Sequence, residues 1–101
     1  MTGPYPPNSL RGSVERPEWE TRTLERSRRY RVIKTFLDAD GCLHEAGEEW
    51  RFLGSYFVPY DSVMWLLVEL EDAMEWKIPI CWEAGHQKDI VENFFGYVQP
   101  L

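Results

Sequence analysis

The run Val63-Met-Trp-Leu-Leu-Val-Glu-Leu70 is apolar at odd and even positions alike. A strand sends successive side chains to opposite faces, so a strand apolar on both must be covered on both sides. Read this way, residues 63–70 are the central strand of a sheet, and the rest of the chain supplies the cover. Pro59-Tyr60-Asp61-Ser62 and Glu71-Asp72-Ala73 have turn composition and bound the run.

The flanking segments repeat the pattern. Tyr30–Leu37 is rich in β-branched and aromatic residues and reads as a strand, closed by the turn Asp38-Ala39-Asp40-Gly41. A short piece over 42–45 leads to the turn Ala46-Gly47-Glu48, and Glu49–Val58 reads as a second long strand with a bend at Gly54. Met74, Trp76, Ile78, Ile80 and Trp82 alternate with Glu75, Lys77, Pro79 and Cys81, a period-two strand. Pro79 has no N–H, which places this strand at an edge or leaves its unpaired side free there. After Ala84-Gly85 the period changes: Ile90, Val91, Phe94, Phe95 and Val98 fall on one helical stripe, ended by Pro100. The expectation is an α+β domain over residues 28–101, a small curved antiparallel sheet or SH3-like open barrel with one C-terminal amphipathic helix. Residues 1–27 read as a flexible basic arm, helix-compatible over 17–29, with Trp19 as a candidate anchor.

Charge divides the chain. Residues 1–34 hold eight basic and four acidic side chains, and the other 67 hold three and 13, so a segment of +4 precedes a body of −10. The net charge of −6 makes a poor phosphate-backbone binder, because that affinity comes from Lys and Arg. No apolar run is long enough to span a bilayer, and the start has no basic region followed by an apolar one. The expected setting is therefore cytoplasmic, without nucleic-acid or membrane partners.

No residue pattern states a reaction. Cys42-x-His44 offers two metal ligands, with His86 or Cys81 as a third, but a structural zinc site usually shows a second close pair and none is present. No metal or cofactor is expected, and His44 reads as an exposed hairpin residue beside a half-buried Cys42. Asp38-x-Asp40-Gly41 fails the calcium-loop pattern at both ends of the loop. The serines lie in no nucleophile motif and there is no glycine-rich phosphate loop, so no catalytic residues are expected.

Binding is the remaining reading. The turns before the second long strand and after the central one can share an end of a meander, which would gather Glu45, Glu48, Glu49, Glu71 and Asp72. With Asp61 and the aromatic anchors Tyr56 and Tyr60 they form the candidate contact set for a basic protein. An aromatic cleft around Tyr56, Tyr60 or Trp65 is the alternative, as in an SH3-like adaptor that holds a peptide or an assembly partner.

Tyr30-Arg-Val-Ile-Lys-Thr-Phe-Leu-Asp-Ala-Asp-Gly41, His44-Glu-Ala-Gly-Glu-Glu-Trp-Arg-Phe-Leu-Gly54 and Phe57-Val-Pro-Tyr-Asp61 together resemble a bacterial family of short acidic proteins of unknown function. Its marks are a D-x-D-G turn, a G-E-x-W-x-F-L-G strand and a P-Y-D turn, and Trp76-Lys-Ile-Pro-Ile80 also fits. The resemblance covers residues 30–99 and carries over turns and core positions, with no catalytic signature. Small acidic families of this kind often accompany polymorphic-toxin genes. The resemblance therefore implies an immunity protein that occludes the basic active-site cleft of a cognate toxin.

Overall fold

In a computed structural model of the chain, residues 1–10, 24–58, 60, 62–81, 89, 90, 92, 93 and 96–101 are described. The proposed 17–29 helix up to Thr23, the Trp19 anchor, Asp61, Trp82 and His86 lie outside them. Among the described residues there are eight strands: β1 (Thr2–Tyr5), β2 (Arg29–Val32), β3 (Phe36–Leu37), β4 (Leu43–His44), β5 (Glu49–Val58), β6 (Val63–Glu69), β7 (Glu75–Cys81) and β8 (Val98–Pro100). Six form one antiparallel sheet in the order β1-β7-β6-β5-β2-β8, and β3 and β4 form a separate hairpin. Among the described residues no helix is long and apolar enough to cross a membrane.

The apolar run is β6, an inner strand between β5 and β7, as its two-sided pattern requires. Leu66 and Val68 enter the core with Tyr30, Val32, Trp50, Phe52, Met64, Ile78, Ile80 and Val98. Leu67 is equally buried but on the opposite face, outside that cluster, as is Leu10. β5 keeps its sequence-read limits, and the register slips between Phe52 and Gly54, where Gly54 has φ 149°. This slip is a bulge of the kind glycine permits. β7 is not an edge strand, but β1 meets it only at Glu75 and Lys77. Pro79 is past that pairing, and its carbonyl accepts the N–H of Ala39 at 2.7 Å.

The fold class differs from the sequence expectation. The protein is nearly all sheet rather than α+β, its main sheet is an open antiparallel one rather than an SH3-like open barrel, and the C-terminal helix is not formed among the described residues. One helical hydrogen bond, Asn93 N to Asp89 O at 2.9 Å, is followed by a tighter one from Gly96 N to Asn93 O. Beyond it Val98 pairs with Val32 and Pro100 with Tyr30, so the end of the stripe is strand β8. The apolar period is met all the same, because Ile90 and Val98 are both buried in the core. The long 30–37 strand is also broken. Ile33 and Lys34 donate their N–H groups to the carbonyl of Tyr97, at 2.7 and 3.3 Å, and the chain leaves the large sheet before β3.

The first ten residues are built into the body. β1 pairs with β7, and the Gly3 backbone lies so close to Trp76 that a Cβ would stand 2.7 Å from its ring. Past Tyr5 the chain crosses the second face of the sheet. There the buried Glu75 accepts the N–H of Asn8 (2.7 Å) and of Leu10 (2.8 Å), one on each carboxylate oxygen. Removing that acceptor orphans two donors. Glu75→Ala is expected to cost about 2–4 kcal/mol in urea unfolding, with faster amide exchange confined to residues 6–10. Unchanged exchange there would refute the anchor.

Candidate functional site

The sheet has two ends, set by its hairpins. At one end the 45–48 turn, the start of β5 and the 70–74 turn come together. Gly47, Glu49, Leu70, Glu71 and Asp72 line an open cleft of about 400 Å³ there. Glu49 on β5 is held by Arg31, whose Nε and Nη2 donate to Oε2 at 3.0 and 2.9 Å, with Arg29 at 3.9 Å. Glu71 and Asp72 are exposed and have no cationic partner among the described residues. Asp72 Oδ1 accepts the N–H of Met74 at 3.0 Å, which shapes the turn and leaves its other oxygen outward. Glu45 is exposed on the neighbouring turn.

The remaining candidates lie elsewhere. Glu48 turns inward. Tyr56 is half-buried on the second face, stacked at 6.5 Å on Trp65, with Lys77 Nζ 5.7 Å from its ring. Tyr60 is 99% exposed at the tip of the β5–β6 hairpin. At about 3.3 Å per residue the ten-residue β5 separates that tip from the cleft by about 30 Å. One small contact area therefore cannot include Tyr60 with Glu49, Glu71 and Asp72.

A second constellation lies under the β3–β4 hairpin, and the sequence reading missed it. Phe36 pairs with His44 and Leu37 with Leu43, so Phe36 and His44 share the inner face while Leu37 and Leu43 face out. The turn between them folds Asp38 under the same face, where Oδ1 accepts the N–H of Asp40 (2.9 Å) and of Cys42 (3.0 Å). His44, expected at the surface, is fully buried. Its Nε2 is 2.8 Å from Asp38 Oδ2 and its Nδ1 is 2.8 Å from Glu48 Oε2. Carboxylates only accept, so both ring nitrogens carry protons and His44 is an imidazolium. Trp50 Nε1 donates to the same Glu48 oxygen at 3.2 Å, and the Met1 ammonium donates to Asp38 Oδ2 at 2.8 Å.

Burial alone would lower the affinity of His44 for its proton. The hydrogen bonds to Asp38 and Glu48 outweigh it and raise the pKa from 6.5 to about 9. Burial would likewise raise Asp38, but the bonds from His44, the terminal ammonium and Cys42 N hold it down, from 3.8 to about 2. The donor atoms of Asp38, Cys42 and His44 all lie within 4.8 Å of one another, with Cys42 half-exposed. The structure thus brings Asp38 to the Cys42–His44 pair, a place sequence spacing had given to His86 or Cys81. The available signal was that positions 38, 42 and 44 share one face of a tight hairpin.

No family model and no curated protein matches the chain. Its open-sheet architecture is shared with a solved structure. That protein is an integron cassette protein from the mobile metagenome of Vibrio cholerae, 30% identical, with a TM-score of 0.80 over 90% of this chain and 97% of the other. The chain belongs to the family of that cassette protein.

The buried clamp sets two pH limits on stability. The His44 contribution is complete below its unfolded value of 6.5 and is lost as pH rises through about 9. That of Asp38 is complete above 3.8 and is lost as pH falls through about 2. Urea unfolding in EDTA-containing buffer is expected to show a decline above neutrality that His44→Ala abolishes. The variant itself is expected to lose about 3–5 kcal/mol, because two carboxylates lose their counter-charge. A flat profile for the parent protein between pH 6 and 9 would contradict the doubly protonated ring.

Proposed function

We propose that the protein is a non-enzymatic binding protein that covers a basic cleft on a protein partner with its acidic end, the partner being a bacterial toxin. The observation that carries the reading is the cleft lined by Glu49, Glu71 and Asp72, with Glu71 and Asp72 exposed and without cationic partners among the described residues. Charges gathered at one end of a stiff sheet steer a basic partner and raise its association rate. Glu49, already held by Arg31, stays in place as the cleft wall, while Glu71 and Asp72 make the contact and Glu45 extends it. The relationship to a protein of mobile DNA is in keeping with this reading, as is the resemblance to short acidic families found beside toxin genes.

A second reading rests on the Tyr56–Trp65 stack of the other face, which offers aromatic surface to a peptide. Salt separates the two: charge steering weakens as ionic strength rises, whereas aromatic contact barely responds.

The test is affinity capture from the native host, followed by stopped-flow binding and activity assays with the recovered partner. Glu71→Lys with Asp72→Lys is expected to slow association about tenfold at low salt, to converge with the parent at high salt, and to restore the partner's activity. A partner without a basic site, or one bound equally fast by the reversed variant, would overturn the acidic-end mechanism. Loss of binding only on Tyr56→Ala or Trp65→Ala would favour the second face.

A further inference from the structure

We propose that the inner face of the β3–β4 hairpin is a transition-metal site of the zinc class, with Asp38, Cys42 and His44 as its ligands. It is independent of the acidic cleft. Three donors of three kinds, a carboxylate, a thiol and an imidazole, converge within 4.8 Å. Zinc bonds of about 2.0–2.3 Å place tetrahedral donors about 3.3–3.8 Å apart, so the His44 Nε2 and Asp38 Oδ2 pair, 2.8 Å apart when hydrogen-bonded, opens by about 0.5 Å as the ion enters, and the thiol closes in by about 1 Å. The half-exposed Cys42 does so by side-chain rotation.

The surroundings are built as a metal site requires. Glu48 accepts the Nδ1 proton of His44 at 2.8 Å and thereby aims Nε2 at the site. A carboxylate behind a ligating histidine fixes its tautomer and raises its basicity. Trp50 Nε1 holds that carboxylate in turn. On the other ligand, the N–H groups of Asp40 and Cys42 occupy Asp38 Oδ1 and leave Oδ2 facing Nε2. The short span across the hairpin is fixed by the bond from Asp38 N to Cys42 O at 3.0 Å. Thiolate and carboxylate together balance a divalent ion, and the mixed S, N and O set favours zinc or cobalt over magnesium or calcium.

Binding is an exchange of protons for metal. The ion takes the place of the Nε2 proton between His44 and Asp38 and of the Cys42 thiol proton, and both leave to solvent. The Met1 ammonium shares Asp38 Oδ2 and gives way to the ion. Solvent enters beside Cys42 and completes the coordination.

The test titrates Co²⁺ into the metal-free full chain under anaerobic conditions. A thiolate-to-cobalt charge-transfer band and visible d–d bands are expected, removable by Zn²⁺. Cys42→Ser abolishes the charge-transfer band while Cys81→Ser retains it, and Glu48→Gln weakens binding about 10–100-fold. Should Cys42→Ser fail to fold, the imidazole ¹⁵N spectrum of the parent protein decides: Zn²⁺ must remove the proton from Nε2 of His44 and leave the one on Nδ1. A folded parent protein with no charge-transfer band at saturating cobalt overturns the assignment, as do a band that survives Cys42→Ser and a His44 ring unchanged by zinc.

Discussion

The interaction on which the rest depends is the imidazolium of His44 held between Asp38 and Glu48. A two-residue-strand hairpin has too few backbone bonds to stand alone. It is kept on the core face by this clamp, by Phe36 packed edge-on to Tyr97 at 6.0 Å, and by the bond from Ala39 to Pro79. Phe36 of this hairpin belongs to the same core cluster as Trp50, Val32 and Val98. The charged groups are tolerated in the interior because both ring nitrogens of His44 face a carboxylate and both oxygens of Asp38 accept hydrogen bonds.

The same residues link the interior to the acidic end. Glu48 and Glu49 are consecutive on the way into β5 and point to opposite faces: one reaches back to His44 and Trp50, the other forward to Arg31 and the cleft. The second face has a similar anchor in Glu75, which holds the backbone of Asn8 and Leu10, and the same face carries the Tyr56–Trp65–Lys77 group.

What was legible in the sequence was the sheet. β5, β6 and β7 were found close to their limits because alternation, turn chemistry and Gly54 report strand geometry directly. The C-terminal helix was misread because Ile90 and Val98 satisfy a helical stripe and a turn followed by a strand equally well. Only the unmet edge of β2, a long-range fact, decides between them. His44 was misread for a related reason. A histidine in a hairpin is ordinarily solvated, and its burial required Asp38 and Glu48 to arrive from both sides, six and four residues away. Among the acids, composition could mark an excess. It could not tell the inward Glu48 and Glu75 from the outward Glu71 and Asp72, since those four differ by strand parity and by partner rather than by type.

The two outermost strands of the large sheet, β1 and β8, are four and three residues long and each contains a proline, Pro4 and Pro100. A strand rim of that kind offers a neighbouring molecule few donors and interrupts any ladder it begins. A chain with so apolar a central strand would otherwise be prone to stack rim to rim into fibrils. Here the short, proline-bearing rims oppose that pairing, and Pro4 and Pro100 are the positions where replacement would most readily restore a continuous ladder.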